Sequence, residues 1–154
     1  MTLPAKRSPT SEPQDERRSA MLRLTTRIAG AQTRKDIFTG LAFGMMDECF
    51  GFSGISVRID GDERSAVDAG DLSPAAPRLD TRFKADGDVA GTITVERASG
   101  ESFDDTDREL LAAAASHVGV AVARSGFLES ERRRAEEQKA LLDTLADLSG
   151  HLEL

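Results

Sequence analysis

Residues able to do chemistry are sparse in this chain. There is one cysteine, Cys49, and the only histidines are His117 and His151. A single thiol excludes an internal disulfide framework, a multi-thiolate zinc site and any redox cycle that needs a resolving thiol in the same chain. A metal centre would have to be mostly carboxylate, and no acidic run has the spacing of a calcium loop. No metal and no cofactor is therefore expected. Nothing in the spacing sets a nucleophile beside a base, so no enzyme activity is expected either. Cys49, between Met45 and Phe52 on an apolar face, reads as a core residue. His117, inside an Ala-rich stretch, reads as a core or interface histidine.

The elements that position these residues fit within 154 residues, enough for one domain with extensions. Hydrophobic residues make up 39% and charged residues 31%, so a core forms over only part of the chain. Net charge is −7, distributed as +1 over residues 1–18, −5 over 19–124 and −3 over 125–154. No segment is basic enough to hold a phosphate backbone, so no nucleic acid partner is expected. The most apolar stretch, Leu110–Ala123, is shorter than the ~20 residues that span a bilayer and reads as a buried helix, which leaves no role for a membrane. Residues 1–18 hold Pro4, Pro9 and Pro13 among Ser, Glu and Arg, without the apolar core of a secretory signal. They read as a disordered lead-in, and the whole chain as cytoplasmic.

Order is expected from Ser19. Met21, Leu24, Ile28 and Ala31 recur at helical spacing. Thr33 and Asp36 have capping-box spacing ahead of Phe38, Leu41, Met45 and Cys49, which predicts a second helix that stops at Gly51. Gly40 and Gly44 each cost about 1 kcal/mol of helix propensity, which implies close packing on a neighbour. From Phe52 the period becomes two. Ile55, Val57 and Ile59 alternate with polar residues up to Asp60-Gly61-Asp62, and Ser65–Ala69 closes a first hairpin. Leu79–Ala85 and Gly91–Glu96, joined across Asp86-Gly87-Asp88, make a second. A long helix follows, with Asp104 as N-cap and Asp107 three residues on. This order predicts an α+β fold: a small antiparallel sheet of about four strands with N-terminal and C-terminal helices on one face.

The run Gly91–Val95, then Phe103, Asp107, Leu110-Leu111 and the Ala-rich helix through Val118, Ala121 and Val122 resembles the C-terminal signature of GAF domains. The likeness spans residues 19–124 and includes no catalytic motif. It implies a regulatory module that dimerises or binds a small ligand ahead of an output domain such as a kinase, cyclase or phosphatase. In cyclic-nucleotide-binding members an Asn-Lys, Phe, Asp-Glu pattern recurs; here the positions read Glu96-Arg97, Phe103 and Asp107-Arg108, with Arg97 able to pair with Asp107. Covalent bilin attachment is not expected, because Cys49 falls on the second helix. Reduction of methionine sulfoxide, which family members perform with several cysteines, is excluded by the single thiol.

Only Asp71–Pro77 separates the two hairpins, so the segments that roof the ligand pocket in the family are nearly missing. The outward sheet face then carries Arg58, Asp60, Asp80, Arg82, Lys84, Thr92, Thr94 and Glu96, charges of both signs that are costly to bury. Two readings follow: a solvated charge ladder, or a shallow site for a polar or anionic small molecule held by Arg58, Arg82 and Thr94 under the Gly70–Leu79 loop.

Residues 125–154 read as an exit helix. Leu141, Leu145, Leu148 and Leu152 follow heptad spacing, while Ser125, Leu128 and Ala135 fall in another register, so a continuous seam would have to shift near the block Glu131–Glu137. This segment resembles the signalling helix that joins sensor to output domains in dimeric receptors. The resemblance implies a parallel homodimer, against the alternative of a helix packed on its own domain. Leu145–His151 also resembles the phospho-acceptor box of histidine kinases in two-component systems, although Gly150 breaks the pattern; a kinase fragment phosphorylated at His151 is the remaining alternative.

Overall fold

A computed structural model describes residues 11–85, 87, 89–98 and 100–152. Asp86 and Asp88 of the second predicted turn, and residues 1–10 of the lead-in, lie outside them. The described chain is α+β. Helices α1 (Ser11–Gly30) and α2 (Arg34–Met45) precede strands β1 (Gly54–Ile59), β2 (Asp62–Gly70), β3 (Arg78–Lys84) and β4 (Ala90–Glu96), and helix α3 (Asp105–Leu152) ends the series.

The expected disorder up to residue 18 does not hold over 11–18, where α1 is already helical. Pro13 stands in the first turn, where its missing N–H costs no hydrogen bond. Arg17 gives this stretch a tertiary anchor, donating from Nε to the Cys49 carbonyl at 3.1 Å. Helix α2 opens as its cap predicts: the Asp36 N–H donates to Thr33 Oγ1 at 3.1 Å. It ends at Met45, before Cys49, which is therefore not on the helix as expected but in the turn after it, half-buried against the core.

The close packing inferred for the α2 glycines is present on α1. A Cβ on Gly44 would run into Leu24 Cδ1, and one on Gly40 would lie 3.1 Å from Arg27 Cγ. Gly44→Ala should thus destabilise by roughly 1–3 kcal/mol through overpacking. Gly126→Ala, where nothing lies within 4 Å of the added carbon, should stabilise by up to about 1 kcal/mol through helix propensity. Thermal unfolding of the two variants checks the opposite signs.

All strand pairs are antiparallel, in the order β2-β1-β4-β3. Both hairpins therefore form as expected, and β1 and β4, 30-odd residues apart in sequence, make the central pair in register Val57↔Ile93 and Ile55↔Val95. Those four side chains are buried and face the helices. Leu24, Ile28, Ile37, Leu41 and Met45 from the first two helices, and Leu111, Ala114, Val118 and Val122 from α3, close the core from one side. Phe38 meets Phe83 edge-on with ring centroids 5.9 Å apart. Gly119 lets α3 cross the edge strand β3, since a Cβ there would overlap the Lys84 carbonyl.

Helix α3 is long and apolar enough, by length and composition, to cross a membrane. Its apolar part is nonetheless the stretch that carries Leu111, Ala114, Val118 and Val122 into the core. One face of the stretch is therefore buried, as the sequence reading expects, while Ala113, His117 and Val120 on the other are exposed.

Candidate functional site

Two surfaces carry the residues singled out in the sequence. The first is the sheet face turned away from the helices. Period-two alternation places Arg58 of β1, Thr92 of β4 and Arg82 of β3 in one cross-strand row, and Ser56, Thr94 and Asp80 in the next. Arg58, Arg82 and Thr94 therefore do share a face. Arg82 and Thr94 are already engaged there. Arg82 is ion-paired with Asp60 and donates to Thr92 Oγ1 at 3.0 Å. The guanidinium holds the Asp60 carboxyl below its usual value, and the carboxylate in turn raises Arg82. Thr94 Oγ1 donates to Asp80 Oδ1 at 2.6 Å, and Arg58 Nε to Ser56 Oγ at 3.2 Å. Arg58, Asp60, Asp80, Arg82 and Lys84 are exposed, so these pairs are screened by water and contribute little each. The clefts that are best formed lie along the helices, and none of them is lined by Arg58, Arg82 or Thr94.

Glu96 departs from the expectation of a solvated ladder, because it is fully buried. The Asp71–Pro77 loop folds over the end of the face. The Ser73 N–H donates to Glu96 Oε2 at 2.7 Å, and Arg78 Nε pairs with Oε1 at 2.6 Å. Arg97 N–H fastens the far end of the loop by donating to the Pro77 carbonyl at 3.2 Å. The short loop thus covers one carboxylate and leaves the rest of the face open.

Behind the sheet end, the Arg97–Asp107 pair foreseen in the sequence is formed and buried. Two hydrogen bonds, 3.1 and 3.2 Å, join the guanidinium to both carboxylate oxygens. Arg97 also donates to the Phe50 carbonyl at 3.2 Å and lies over the rings of Phe52 and Phe103, 5.4 and 5.0 Å from their centroids. Asp107 has a second arginine partner, on α1: Arg17 reaches its carboxylate at 3.8 Å. Asp107 completes a reciprocal cap with Asp104, the N–H of each donating to the carboxylate of the other at 2.8 and 3.0 Å. Burial pushes the Asp107 carboxyl up, but the Arg97 and Asp104 hydrogen bonds outweigh it and hold the group below its ordinary value. This node locks the start of α3 to α1, to the turn before β1 and to the end of β4.

The second surface is α3 itself. One face of its first half is core, and full burial ends at Ser125. Ser125 is buried, with Oγ donating to the Gln32 carbonyl at 3.1 Å, and Arg124 donates to the Ala31 carbonyl at 3.1 Å. From Phe127 to His151 every residue is exposed. The helix does not pack back on its own domain. Leu141, Leu145 and Leu148 stand 61%, 51% and 55% exposed, on a helix with nothing described beside it. Leu128 is half-exposed and lines a cleft of about 530 Å³ with Arg34 and Arg132, where α3 leaves the domain. Ala135 is exposed, Leu152 is the last helical residue, and His151 is exposed in the last turn.

Among the described residues no group of three or more His, Cys, Asp or Glu is placed to hold a metal ion. In comparisons with known proteins, no family model and no curated protein matches the chain.

Proposed function

We propose that this chain is a regulatory module of GAF-like architecture from a bacterial-type signal-transduction protein. It acts in the cytoplasm as a parallel homodimer, does no chemistry of its own, and passes a change in the domain along α3 to an output domain of kinase, cyclase, phosphatase or similar kind. One observation carries this reading: α3 leaves the core as an unbroken helix whose leucine stripe has no cover among the described residues. An isolated helix of that polarity is marginal in water, and a second helix along the stripe supplies the missing burial.

The architecture supports the family likeness. Two N-terminal helices, two hairpins in one antiparallel sheet and a C-terminal helix follow one another in the expected order, with the helices on one face. The buried Arg97–Asp107 node supports transmission, because a movement of α1 or of the β4 end acts directly on the first turn of α3. The outer sheet face supports a reduced or absent ligand pocket, since Asp60, Asp80 and Arg82 are engaged by neighbouring strands and are open to water.

Native mass spectrometry of the chain, purified without added ligand, tests the reading. A dimer without adducts is the expected result. A monomer at micromolar concentration overturns it. A stoichiometric small-molecule adduct would overturn the empty-face part and favour a polar ligand at Arg58, Arg82 and Thr94.

A further inference from the structure

The exit leucines define a heptad whose phase can be carried back into the domain. With Leu141 and Leu148 at d and Leu145 at a, the preceding d positions are Arg134, Phe127, Val120 and Ala113, and the preceding a positions are Gln138, Glu131, Arg124 and His117. Ser125 and Leu128 do not belong to this phase, which is why the sequence suggested a shifted seam. The structure removes the need for a shift. Ser125 faces the domain through Gln32, whereas Ala113, His117, Val120 and Phe127 lie on the exposed side of α3; Arg124 is exposed as well, its guanidinium reaching the Ala31 carbonyl. Val120 is 72% and Phe127 64% exposed, although Val118, Ala121 and Val122 around them are buried.

We propose that a second copy of this chain docks in parallel along this whole face, so that the dimer seam begins on the domain itself and continues without a stutter through Leu148. The inference rests on the homodimer reading above and adds its register, its extent and two contact residues, Val120 and Phe127. Charge and apolar matching select the occupant. In a parallel, in-register pair each residue meets its own copy, so Val120, Phe127, Leu141, Leu145 and Leu148 form apolar layers, with Arg124, Glu131, Arg134 and Gln138 as polar layers between them. The Glu131 and Arg134 layers lie about 4.5 Å apart along the axis, from a rise of 1.5 Å per residue. Two negative and two positive charges thus neutralise one another between neighbouring layers. Within one chain Glu131 and Arg134 already approach to 3.6 Å. An antiparallel pair that set Glu131 against Arg134 would place Phe127 against Gln138, Leu141 against Arg124 and Leu148 against His117, leaving Leu145 on Val120 as the one apolar layer between residues 117 and 148. A polar block within an apolar seam also fixes the register against slippage. The shallow cleft beside Phe127, lined by Lys84, Ala85, Val120 and Ala123, leaves room for the partner's helix at the edge of β3.

Disulfide trapping on the full chain tests this, in a Cys49→Ser background so that each introduced thiol is the only one. Facing d positions come within disulfide range of each other. Phe127→Cys and Leu148→Cys should each give covalent dimers under mild oxidation, and Glu129→Cys, on the outer side of the helix, should not. Phe127→Glu should raise the dimer dissociation constant at least tenfold with unchanged circular dichroism. A dimer that cross-links at Leu148→Cys but not at Phe127→Cys would overturn the continuous seam and leave the regulatory dimer standing. Trapping of Phe127→Cys chains with Gln138→Cys chains in place of self-pairs would overturn the parallel arrangement. A monomer would remove both readings.

Discussion

Asp107→Ala should destabilise the domain by about 3–5 kcal/mol, because it leaves the Arg97 guanidinium buried without its counter-charge. It also removes the acceptor that caps α3 and the carboxylate that Arg17 approaches from α1. Thermal or urea unfolding reads the loss, with a fall in Tm of roughly 10 °C or more for a domain of this size. A double replacement, Arg97→Met with Asp107→Leu, should cost less than the sum of the single changes, since no unpaired charge remains. A loss below about 1 kcal/mol for Asp107→Ala would show that the node contributes little to holding α3. The same pair sets a pH dependence. Asp107 titrates below its ordinary value of 3.8 in the folded state, so the folded state binds fewer protons there than the unfolded chain. Its contribution is fully present above about pH 4 and is lost as pH falls through the folded value. Asp107→Asn should flatten the acid limb of the stability profile and leave neutral pH behaviour unaltered in slope.

Replacing Leu145 and Leu148 together with Glu should convert the dimer to monomer while the sheet stays folded. Both side chains stand more than half exposed in the single chain and touch nothing in the core. The substitutions therefore cost the monomer nothing in packing and place like charges in two seam layers. Sedimentation velocity measures the dissociation constant, which should rise at least a hundredfold, about 2.7 kcal/mol. Unfolding of the domain, followed at a signal from the sheet, should be unchanged once compared at equal monomer concentration. An unaltered dissociation constant would place any interface elsewhere and remove the support for the proposed signalling along α3.

The two effects differ in origin, and together they separate the fold from the assembly. Asp107 acts inside one chain, where low dielectric makes an orphaned charge costly. In the proposed dimer Leu145 and Leu148 act only between chains. A variant set that loses dimers without losing the fold, and another that loses the fold first, would distinguish an assembly surface from a structural one.

Much of the architecture was legible locally. The strands declared themselves by period-two alternation in Ile55–Ile59 and Gly91–Val95, and the helix starts by Thr33 and Asp104, whose side chains cap the adjacent N–H groups in the structure. These signals act over a few residues, so the sequence by itself determined element types, most boundaries and both hairpins. What the sequence could not determine was set by contacts between distant segments. The central pairing of β1 with β4 depends on tertiary packing, because each hairpin satisfies only one edge of its strands. Glu96 sits on the polar side of the alternation, yet the loop at Ser73 and Arg78 closes over it and supplies partners that let it be buried. Residues 11–18 have the composition of a lead-in, and Arg17 becomes part of a helix through its contacts with Cys49 and Asp107. The heptad on α3 was visible at its leucines, but which side of the helix the domain occupies was a tertiary fact. Only burial of Ser125 on one side and exposure of Val120 and Phe127 on the other showed which face of α3 the domain leaves uncovered. A helical repeat specifies that faces exist, whereas the packing of the rest of the chain specifies which of them is left for a partner.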